Sequence, residues 1–302
     1  MSALHLSLLL LIAGYSLVAV AQKSASNELF KSSVFTPVNS FTSGVEGPAV
    51  DKSGYIYAVN FNHQGTIGQV TPEGVASVFI ELLNGSIGNG IRFDSHGNMF
   101  IADYTNHNVL KVEMSTKELS VFAHEPRMHQ PNDIAIDSKD RIYASDPDFL
   151  DGHGQIWRID TDGKVTLLDN LRGPTNGIEI SPDEKTLYVN AVPSVWAYDL
   201  LPTGDVGKKH LLIEFRCFGM DGMRCDTQGN LYITRFGKGT VMKVSPEGKV
   251  LQEIALHGKR PTNVAFGGTD GRIMYVTLQD KGNIESFLVD FPGREWKMNV
   301  KK

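Results

Sequence analysis

Short runs of apolar residues, each separated from the next by a polar turn signal, cover most of this chain. One such pair begins at residues 46–50, turns at Asp51-Lys52-Ser53-Gly54 and returns at residues 55–59. Runs of this length bounded by turn residues are typical of β-strands, and Asp, Ser and Gly supply the backbone conformations of hairpin turns. We find no convincing long helical pattern, so the chain is predicted to be all-β.

The same hairpin pattern occurs six times, and the first residues of successive copies are 42 to 45 positions apart. The copies read EGPAVDKSGYIYAVN from Glu46, NGIRFDSHGNMFIAD from Asn89, NDIAIDSKDRIYASD from Asn132, NGIEISPDEKTLYVNA from Asn176, DGMRCDTQGNLYITR from Asp221 and NVAFGGTDGRIMYVTL from Asn263. Two further strand-like runs follow in most copies, as at residues 155–159 and 165–168. Four strands in ~43 residues is the period of a β-propeller blade. We therefore predict a single six-bladed propeller of four-stranded antiparallel blades over residues 22–302.

The sixth copy is one strand short. Its third strand ends near residues 284–289, and a basic tail follows Pro292. A spare strand-like run lies before the first copy, at residues 33–38. We expect this N-terminal run to complete the last blade and close the ring, because closure removes exposed sheet edges.

The first 21 residues differ from the rest of the chain. An apolar run at residues 8–13 is followed by Ala19-Val20-Ala21 before Gln22. An apolar core that ends in a small-x-small site is typical of a secretory signal peptide. We expect residues 1–21 to be removed and the mature protein to be secreted or periplasmic. An uncleaved membrane anchor is the alternative, since no Lys or Arg precedes the run.

The amino-acid composition excludes several classes of protein. The chain has 302 residues and a formal net charge of −5, with 41% apolar and 21% charged residues. These values exclude a disordered or fibrous protein, and a mildly acidic chain without a basic run is a poor nucleic-acid binder. We expect a monomer that binds a small molecule, not nucleic acid or a membrane. Cys217 and Cys225 are interpreted as two buried thiols, with a disulfide as the alternative.

The first residue of every copy carries a side-chain oxygen. In a propeller the innermost strand of each blade lines the central channel, so these six positions should meet at one mouth of it. They are Glu46, Asn89, Asn132, Asn176, Asp221 and Asn263. Hard cations such as calcium take six to eight oxygen ligands, and the ring contains no Cys or His that would favour zinc or copper. The sequence thus predicts a cation site, although Asn residues that merely cap strand entries would explain one or two of the positions.

The second strand of each blade should end beside the same mouth. Its last residues form a polar wall with aromatic members, at positions 60–63, 103–104, 146–149, 190–191, 235–236 and 278–279. Such a wall suits a small ligand rich in oxygen. Asp146 and Arg235 are its candidate substrate-binding residues.

These motifs resemble the gluconolactonase / regucalcin-like (senescence marker protein) family of six-bladed propellers. The resemblance runs through nearly all of residues 22–302 and is carried by Val45-Glu46-Gly47-Pro48, Asn132-Asp133, Gly173-Pro174-Thr175-Asn176-Gly177, Met220-Asp221-Gly222-Met223 and Phe266-Gly267-Gly268. It implies a divalent cation held by Glu46, Asn132, Asn176 and Asp221. Calcium is the expected metal, with Zn²⁺, Mn²⁺ and Mg²⁺ as alternatives. Asn89 and Asn263 would support these ligands or join them occasionally.

The resemblance also implies a lactone or ester substrate. The metal would polarise the carbonyl oxygen, and Asp221 would act as general base on a water. Members that resemble regucalcin carry an Arg two residues before the second ligand, where this sequence has Gln130. His129, together with His63 and His153, is an alternative donor to substrate.

Three other functions remain open from the sequence. The same site could hydrolyse organophosphates or other esters, as in diisopropyl fluorophosphatase and the paraoxonases, which look like more distant relatives. The chain could instead be a non-catalytic calcium-binding propeller, since propellers host many functions. A strictosidine-synthase-like enzyme is a remoter possibility, which the ring of oxygen ligands disfavours.

Overall fold

The computed structural model describes residues 28–296, which form six four-stranded antiparallel sheets. The predicted fold class, an all-β six-bladed propeller, is confirmed. The predicted signal peptide at residues 1–21 lies outside the described residues. In each sheet, neighbouring strands along the chain pair with one another, as the repeat requires.

The 24 strands fall into six blades in chain order. They are β1 (Ser33–Val34), β2 (Phe41–Val50), β3 (Ile56–Phe61), β4 (Thr66–Val70), β5 (Ala76–Glu81), β6 (Gly88–Phe93), β7 (Met99–Asp103), β8 (Asn108–Glu113), β9 (Glu118–His124), β10 (Ile134–Ile136), β11 (Ile142–Asp148), β12 (His153–Ile159), β13 (Val165–Arg172), β14 (Thr175–Ile180), β15 (Thr186–Ala191), β16 (Ser194–Leu200), β17 (Val206–Glu214), β18 (Met223–Cys225), β19 (Leu231–Arg235), β20 (Thr240–Val244), β21 (Val250–Ala255), β22 (Pro261–Gly267), β23 (Ile273–Leu278) and β24 (Asn283–Leu288). Residues 294–296 are helical.

The sheets occupy successive stretches of the chain, except at the ring closure. Blades one to five are β2–β5, β6–β9, β10–β13, β14–β17 and β18–β21, and the sixth has the order β1-β24-β23-β22. The N-terminal β1 pairs antiparallel with β24, with Ser33 opposite Ser286. The Thr36 hydroxyl then accepts a hydrogen bond from the Ile284 amide at 2.9 Å. The first described strand is thus the outer strand of the last blade.

The hairpin turns follow the chemistry that the sequence indicates. The Asp51 carboxylate accepts hydrogen bonds from the amides of Ser53 and Tyr55, both at 2.9 Å. Gly54 has φ of 85°, a conformation that glycine adopts without steric cost. Asp226 and Gly229 repeat this arrangement in the fifth blade. Each turn lies at the end of the blade opposite to the predicted site.

Apolar side chains fill the space between adjacent blades. One buried cluster joins Phe100 and Val109 of the second blade to Trp157 and Ile159 of the third. Similar clusters lie between the other blades, so the core is a set of wedges around the channel and not a single central mass. The inner strands are thereby held rigidly, which fixes the positions of the side chains that line the channel.

The two cysteines differ in their surroundings. Cys225 is a buried free thiol, as expected, but Cys217 is free and exposed. The expectation of two buried thiols is therefore wrong for Cys217, because it lies in the loop between β17 and β18 and not in a strand. Within residues 28–296, no helix is long and apolar enough to cross a lipid bilayer.

Candidate functional site

The six inner strands, β2, β6, β10, β14, β18 and β22, contact one another around the channel. Their close approach depends on glycines that follow the repeat's first residue. A Cβ on Gly47 would lie 1.8 Å from the carbonyl oxygen of Asn89, and one on Gly222 would lie 1.9 Å from Cγ of Asn263. The Gly90 amide also donates to the Asn132 carbonyl at 2.8 Å. The predicted ring of first residues is thus brought together by backbone contacts between neighbouring blades.

Glu46 lies at the floor of this mouth, where it keeps part of its surface accessible although protein surrounds it. Its Oε2 accepts a short hydrogen bond from the Gly47 amide and another from Nδ2 of Asn263 at 3.2 Å. Burial, followed by the negative charge of Asp133, raises the pKa of Glu46 to about 7. A carboxylate in this environment costs free energy unless a positive charge compensates it.

Asp221 is the second carboxyl group at the floor. The side chains of Glu46 and Asn176 lie close to it. Burial, and then the charge of Glu46, raises the pKa of Asp221 well above its ordinary value. The Asn190 side chain donates a short hydrogen bond to the Asp221 carbonyl oxygen, which fixes the backbone at this position. Two acidic groups close together at one point favour a bound cation there.

Amide oxygens complete the donor set. Oδ1 of Asn176 and Oδ1 of Asn89 are buried, and neither accepts a hydrogen bond from any residue between 28 and 296. Asn132 is also buried, and its backbone amide donates to the Ser145 carbonyl at 2.9 Å. Buried amide oxygens without a donor are free to bind a metal, whereas leaving them unpaired is costly. The residues present therefore fit a hard divalent cation.

Asn263 has a different orientation. Its Oδ1 accepts hydrogen bonds from the Val264 amide at 2.9 Å and from Nη1 of Arg224 at 3.2 Å. Its Nδ2 points to Glu46, as described above. Asn263 thus supports a predicted ligand and does not present an oxygen to the mouth.

Asp146 holds a loop instead of facing the mouth. Its fully buried carboxylate accepts hydrogen bonds from the amides of His129 and Gln130, at 2.9 and 2.6 Å, and from Nε1 of Trp157 at 3.0 Å. Burial raises its pKa. The His129 ring is exposed and lies 3.5 Å from an Asp148 oxygen. Asp146 therefore fixes the loop that leads to Asn132, and His129 and Gln130 are partly accessible at the mouth.

Arg235 also braces a loop. Its guanidinium is buried, donates to the Gly219 carbonyl at 3.3 Å and makes a shorter hydrogen bond to the Cys217 carbonyl. It also lies over the Phe215 ring, 4.0 Å from the centroid. Burial lowers the pKa of Arg235. The side chain therefore shapes the loop that precedes Asp221.

A buried ionic cluster lies deeper in the channel, and the sequence interpretation missed it. Arg92 and Arg224 are each 1% exposed, and both donate to the Asp133 carboxylate, at 3.3 and 3.1 Å. Glu179, also buried, has its pKa raised to about 7, mainly by burial. A signal was present: Arg92, Glu179 and Arg224 each lie three residues after the first residue of a copy, on strands that are otherwise apolar.

The C-terminal segment closes the opposite end of this cluster. Arg294 is 3% exposed and donates to the Ile136 carbonyl from both Nη atoms, each at 3.1 Å. Glu295 places Oε1 2.5 Å from Nε of Arg92 and Oε2 3.9 Å from Nε of Arg224. The mouth formed by the first residues of the copies is therefore the open end of the channel.

The fold and this floor define a class: a six-bladed propeller whose channel mouth carries two carboxyl groups and several amide oxygens. The described residues contain no group of three or more His, Cys, Asp and Glu that could hold a metal, so any metal here must rely on Asn oxygens. Oxygen donors of this kind suit calcium better than zinc or copper.

Residues 45–280 match the family model described as the SMP-30/Gluconolactonase/LRE-like region, and the chain belongs to this family. It is 26% identical over 284 residues to a gluconolactonase of Zymomonas mobilis subsp. mobilis, covering 81% of this chain and 79% of the relative. It is 34% identical over 169 residues to a 6-deoxy-6-sulfogluconolactonase of Pseudomonas putida, covering 53% and 58%. Its fold is shared with a calcium-binding protein, regucalcin, of Agrobacterium tumefaciens, with a TM-score of 0.74 at 22% identity over 86% of this chain and 97% of that one.

Proposed function

We propose that this protein is a secreted or periplasmic, metal-dependent hydrolase of lactones. One observation carries the proposal: the carboxyl groups of Glu46 and Asp221 lie close together at the floor of the mouth, which also has the unpaired amide oxygens of Asn176 and Asn89. Secretion rests on the signal-like residues 1–21 alone.

Glu46, Asn132, Asn176 and Asp221 would hold the cation. Two carboxylates neutralise a divalent charge, and amide oxygens complete a site for a hard metal. We propose Ca²⁺ as this metal. The regucalcin of Agrobacterium tumefaciens, which has the same fold, is described as a calcium-binding protein.

When bound, the cation would polarise the lactone carbonyl and stabilise the oxyanion. Asp221 would take the proton of the attacking water at a carboxylate oxygen, as general base, and return it to the alkoxide oxygen that is released when the ring C–O bond breaks. Asn176, whose side chain lies close to Asp221, would keep this carboxylate oriented. Glu46 would remain in place through its bonds from Gly47 and Asn263.

The proposed substrate class follows from the relatives and from the mouth. The Zymomonas relative is a gluconolactonase and the Pseudomonas relative a 6-deoxy-6-sulfogluconolactonase. Gln130 and His129 are partly accessible beside Asn132 and can hydrogen-bond a polar substrate. A sugar-type lactone is therefore the first substrate to test.

Hydrolysis of less polar esters, including organophosphates, is the second candidate. The loops between second and third strands lie at the same end of the blades as the candidate site. They expose apolar side chains there: Phe149 is 49% and Leu150 98% exposed. Phe218, in the loop before Asp221, is 55% exposed. An apolar rim of this kind favours a substrate with a hydrophobic group.

The test is a hydrolysis assay on residues 22–302 with a panel of sugar lactones, alkyl lactones and paraoxon-like esters. We expect lactone turnover that EDTA abolishes and Ca²⁺ restores, and that is lost in Asp221→Asn. Preference for the esters would support the second candidate. Calcium binding without turnover on any member would identify a binding propeller and overturn the proposal.

A further inference from the structure

Arg224 links the candidate metal site to the ionic cluster in the channel. Its Nη1 donates to Oδ2 of Asp133 at 3.1 Å and to Oδ1 of Asn263 at 3.2 Å. The same guanidinium lies 3.9 Å from a carboxylate oxygen of Glu295. With 1% of its side chain exposed, Arg224 makes these contacts without competition from solvent.

Two donors, Nη1 of Arg224 and the Val264 backbone amide, fix which end of the Asn263 side-chain amide faces Glu46. A guanidinium can donate hydrogen bonds but cannot accept them, so it must face Oδ1 of Asn263. The Nδ2 group is thereby turned to Oε2 of Glu46, 3.2 Å away. In the reversed orientation, the amide oxygen would face the Glu46 carboxylate and repel it. Arg224 therefore adds a side-chain donor to the Val264 amide and strengthens the orientation in which Asn263 supports Glu46.

This support falls on one oxygen of Glu46. Both the Gly47 amide and Nδ2 of Asn263 donate to Oε2. The arrangement holds the carboxylate in one rotamer, which leaves Oε1 to interact with a cation. Hydrogen bonds that orient metal ligands commonly set the affinity of the site.

The C-terminal segment holds Arg224 from the far side. Asp133 lies near Nη1 of both Arg92 and Arg224, and Glu295 lies near Nε of both. The segment is itself anchored by two backbone hydrogen bonds. The Thr227 amide donates to the Pro292 carbonyl at 2.8 Å, and the Gly293 amide donates to the Gly271 carbonyl at 3.0 Å. The position of the arginine pair thus depends on a part of the chain beyond the last blade.

We propose that Arg224 is a positioning residue for Glu46, acting through Asn263, and that Glu295 of the C-terminal segment keeps Arg224 in place. The inference rests on the proposed metal site. It assigns to the C-terminal segment a role in cation affinity, although this segment does not reach the mouth.

The test is a calorimetric Ca²⁺ titration of residues 22–302, with circular dichroism and thermal unfolding to confirm that each variant is folded. In Arg224→Met we expect the Ca²⁺ affinity to fall by about tenfold or more. Glu295→Gln should give a smaller loss of affinity in the same direction. Arg158→Met is the matched control, because Arg158 is another largely buried arginine, which pairs with Asp160 and Asp205 in a different part of the protein.

A double variant distinguishes a positioning role of Arg224 from a general loss of rigidity at the metal site. If Arg224 acts through Asn263, Arg224→Met should cost no further affinity in an Asn263→Ala background. Should Arg224→Met fail to fold, Arg224→Lys takes its place, because it keeps the buried charge but loses the planar guanidinium that places Nη1 between Asp133 and Asn263. We expect this variant to fold and to bind Ca²⁺ more weakly than the wild type.

Wild-type affinity in Arg224→Met and Arg224→Lys, or equal losses in Arg158→Met and Arg224→Met, would overturn the inference. Independent, multiplicative losses in the double variant would overturn it as well. These results would leave the metal site standing. A wild-type protein that binds no divalent cation would instead overturn the proposed function itself.

Discussion

The side chains of Glu46 and Asp221, 175 positions apart in the sequence, lie close together at the floor of the channel mouth. The ring geometry of the propeller produces this proximity, since the first and fifth inner strands face the same axis. Two acidic groups held together in this way destabilise the metal-free protein. Such a site lowers the stability of the metal-free protein and favours the binding of a cation.

The stability of the metal-free protein gives the first prediction. Glu46→Gln should raise the free energy of unfolding of the metal-free protein at pH 8 by on the order of 1 kcal/mol, because it removes a buried charge. The same variant should lose Ca²⁺ binding. Urea unfolding in EDTA and in Ca²⁺ measures both effects. A variant that is less stable than the wild type in EDTA would show that the charge is already compensated.

Close packing between blades gives the second prediction. Gly222→Ala places a Cβ 1.9 Å from Cγ of Asn263, so the Asn263 side chain must leave its position beside Glu46 or the two inner strands must separate. We expect a loss of about 1–3 kcal/mol in the free energy of unfolding, typical of overpacking, together with weaker Ca²⁺ binding. Gly219→Ala is the control, because its new Cβ would lie 3.4 Å from the nearest heavy atom. Equal behaviour of the two variants would contradict the close-packed ring.

The buried Glu179 makes stability depend on pH. Its pKa is raised to about 7, mainly by burial, so the folded protein keeps a proton between pH 4.5 and 7 that the unfolded chain releases. The contribution of Glu179 to stability therefore falls as the pH rises through this window. Relative to the wild type, Glu179→Gln should gain on the order of 2 kcal/mol between pH 5 and pH 8. Denaturant unfolding at several pH values checks this. A constant difference between the two proteins would contradict the raised pKa.

Closure of the ring gives the fourth prediction. Deletion of residues 29–40 removes β1 and the Thr36 contact to β24, and exposes the edge of the sixth blade. We expect the truncated protein to be unfolded at 25 °C by circular dichroism. Thr36→Ala, a milder change, should keep the fold and cost about 1 kcal/mol for the lost hydrogen bond. A truncated protein with wild-type stability would show that β1 is dispensable.

The architecture could be predicted from the sequence because it is repetitive. Six copies with the same turn residues fix the strand pairing within each blade, and the repeat places Glu46 and Asp221 at equivalent positions. The direction in which a side chain points is harder to predict from the sequence. Asp146 and Arg235 occupy the predicted wall, yet most of their hydrogen-bond partners are backbone groups of loops whose conformations the repeat does not define.

The buried ionic cluster could be predicted from the sequence only in part. Charged residues at the third position after the copy's first residue were visible as exceptions on apolar strands, as for Arg92 and Arg224. Their partner Glu295 was not, because it follows the last blade and reaches the channel only through the path of the folded chain. A contact between the C-terminal segment and two different blades has no local sequence pattern.

The most direct test of the central claim combines calcium stoichiometry with lactone turnover, for the wild type and Asp221→Asn purified in parallel. We predict one bound Ca²⁺ per wild-type chain, with turnover that EDTA removes and Ca²⁺ restores, and no turnover by the variant. Lactone hydrolysis that persists in EDTA and in Asp221→Asn would contradict a metal-dependent site at the channel mouth.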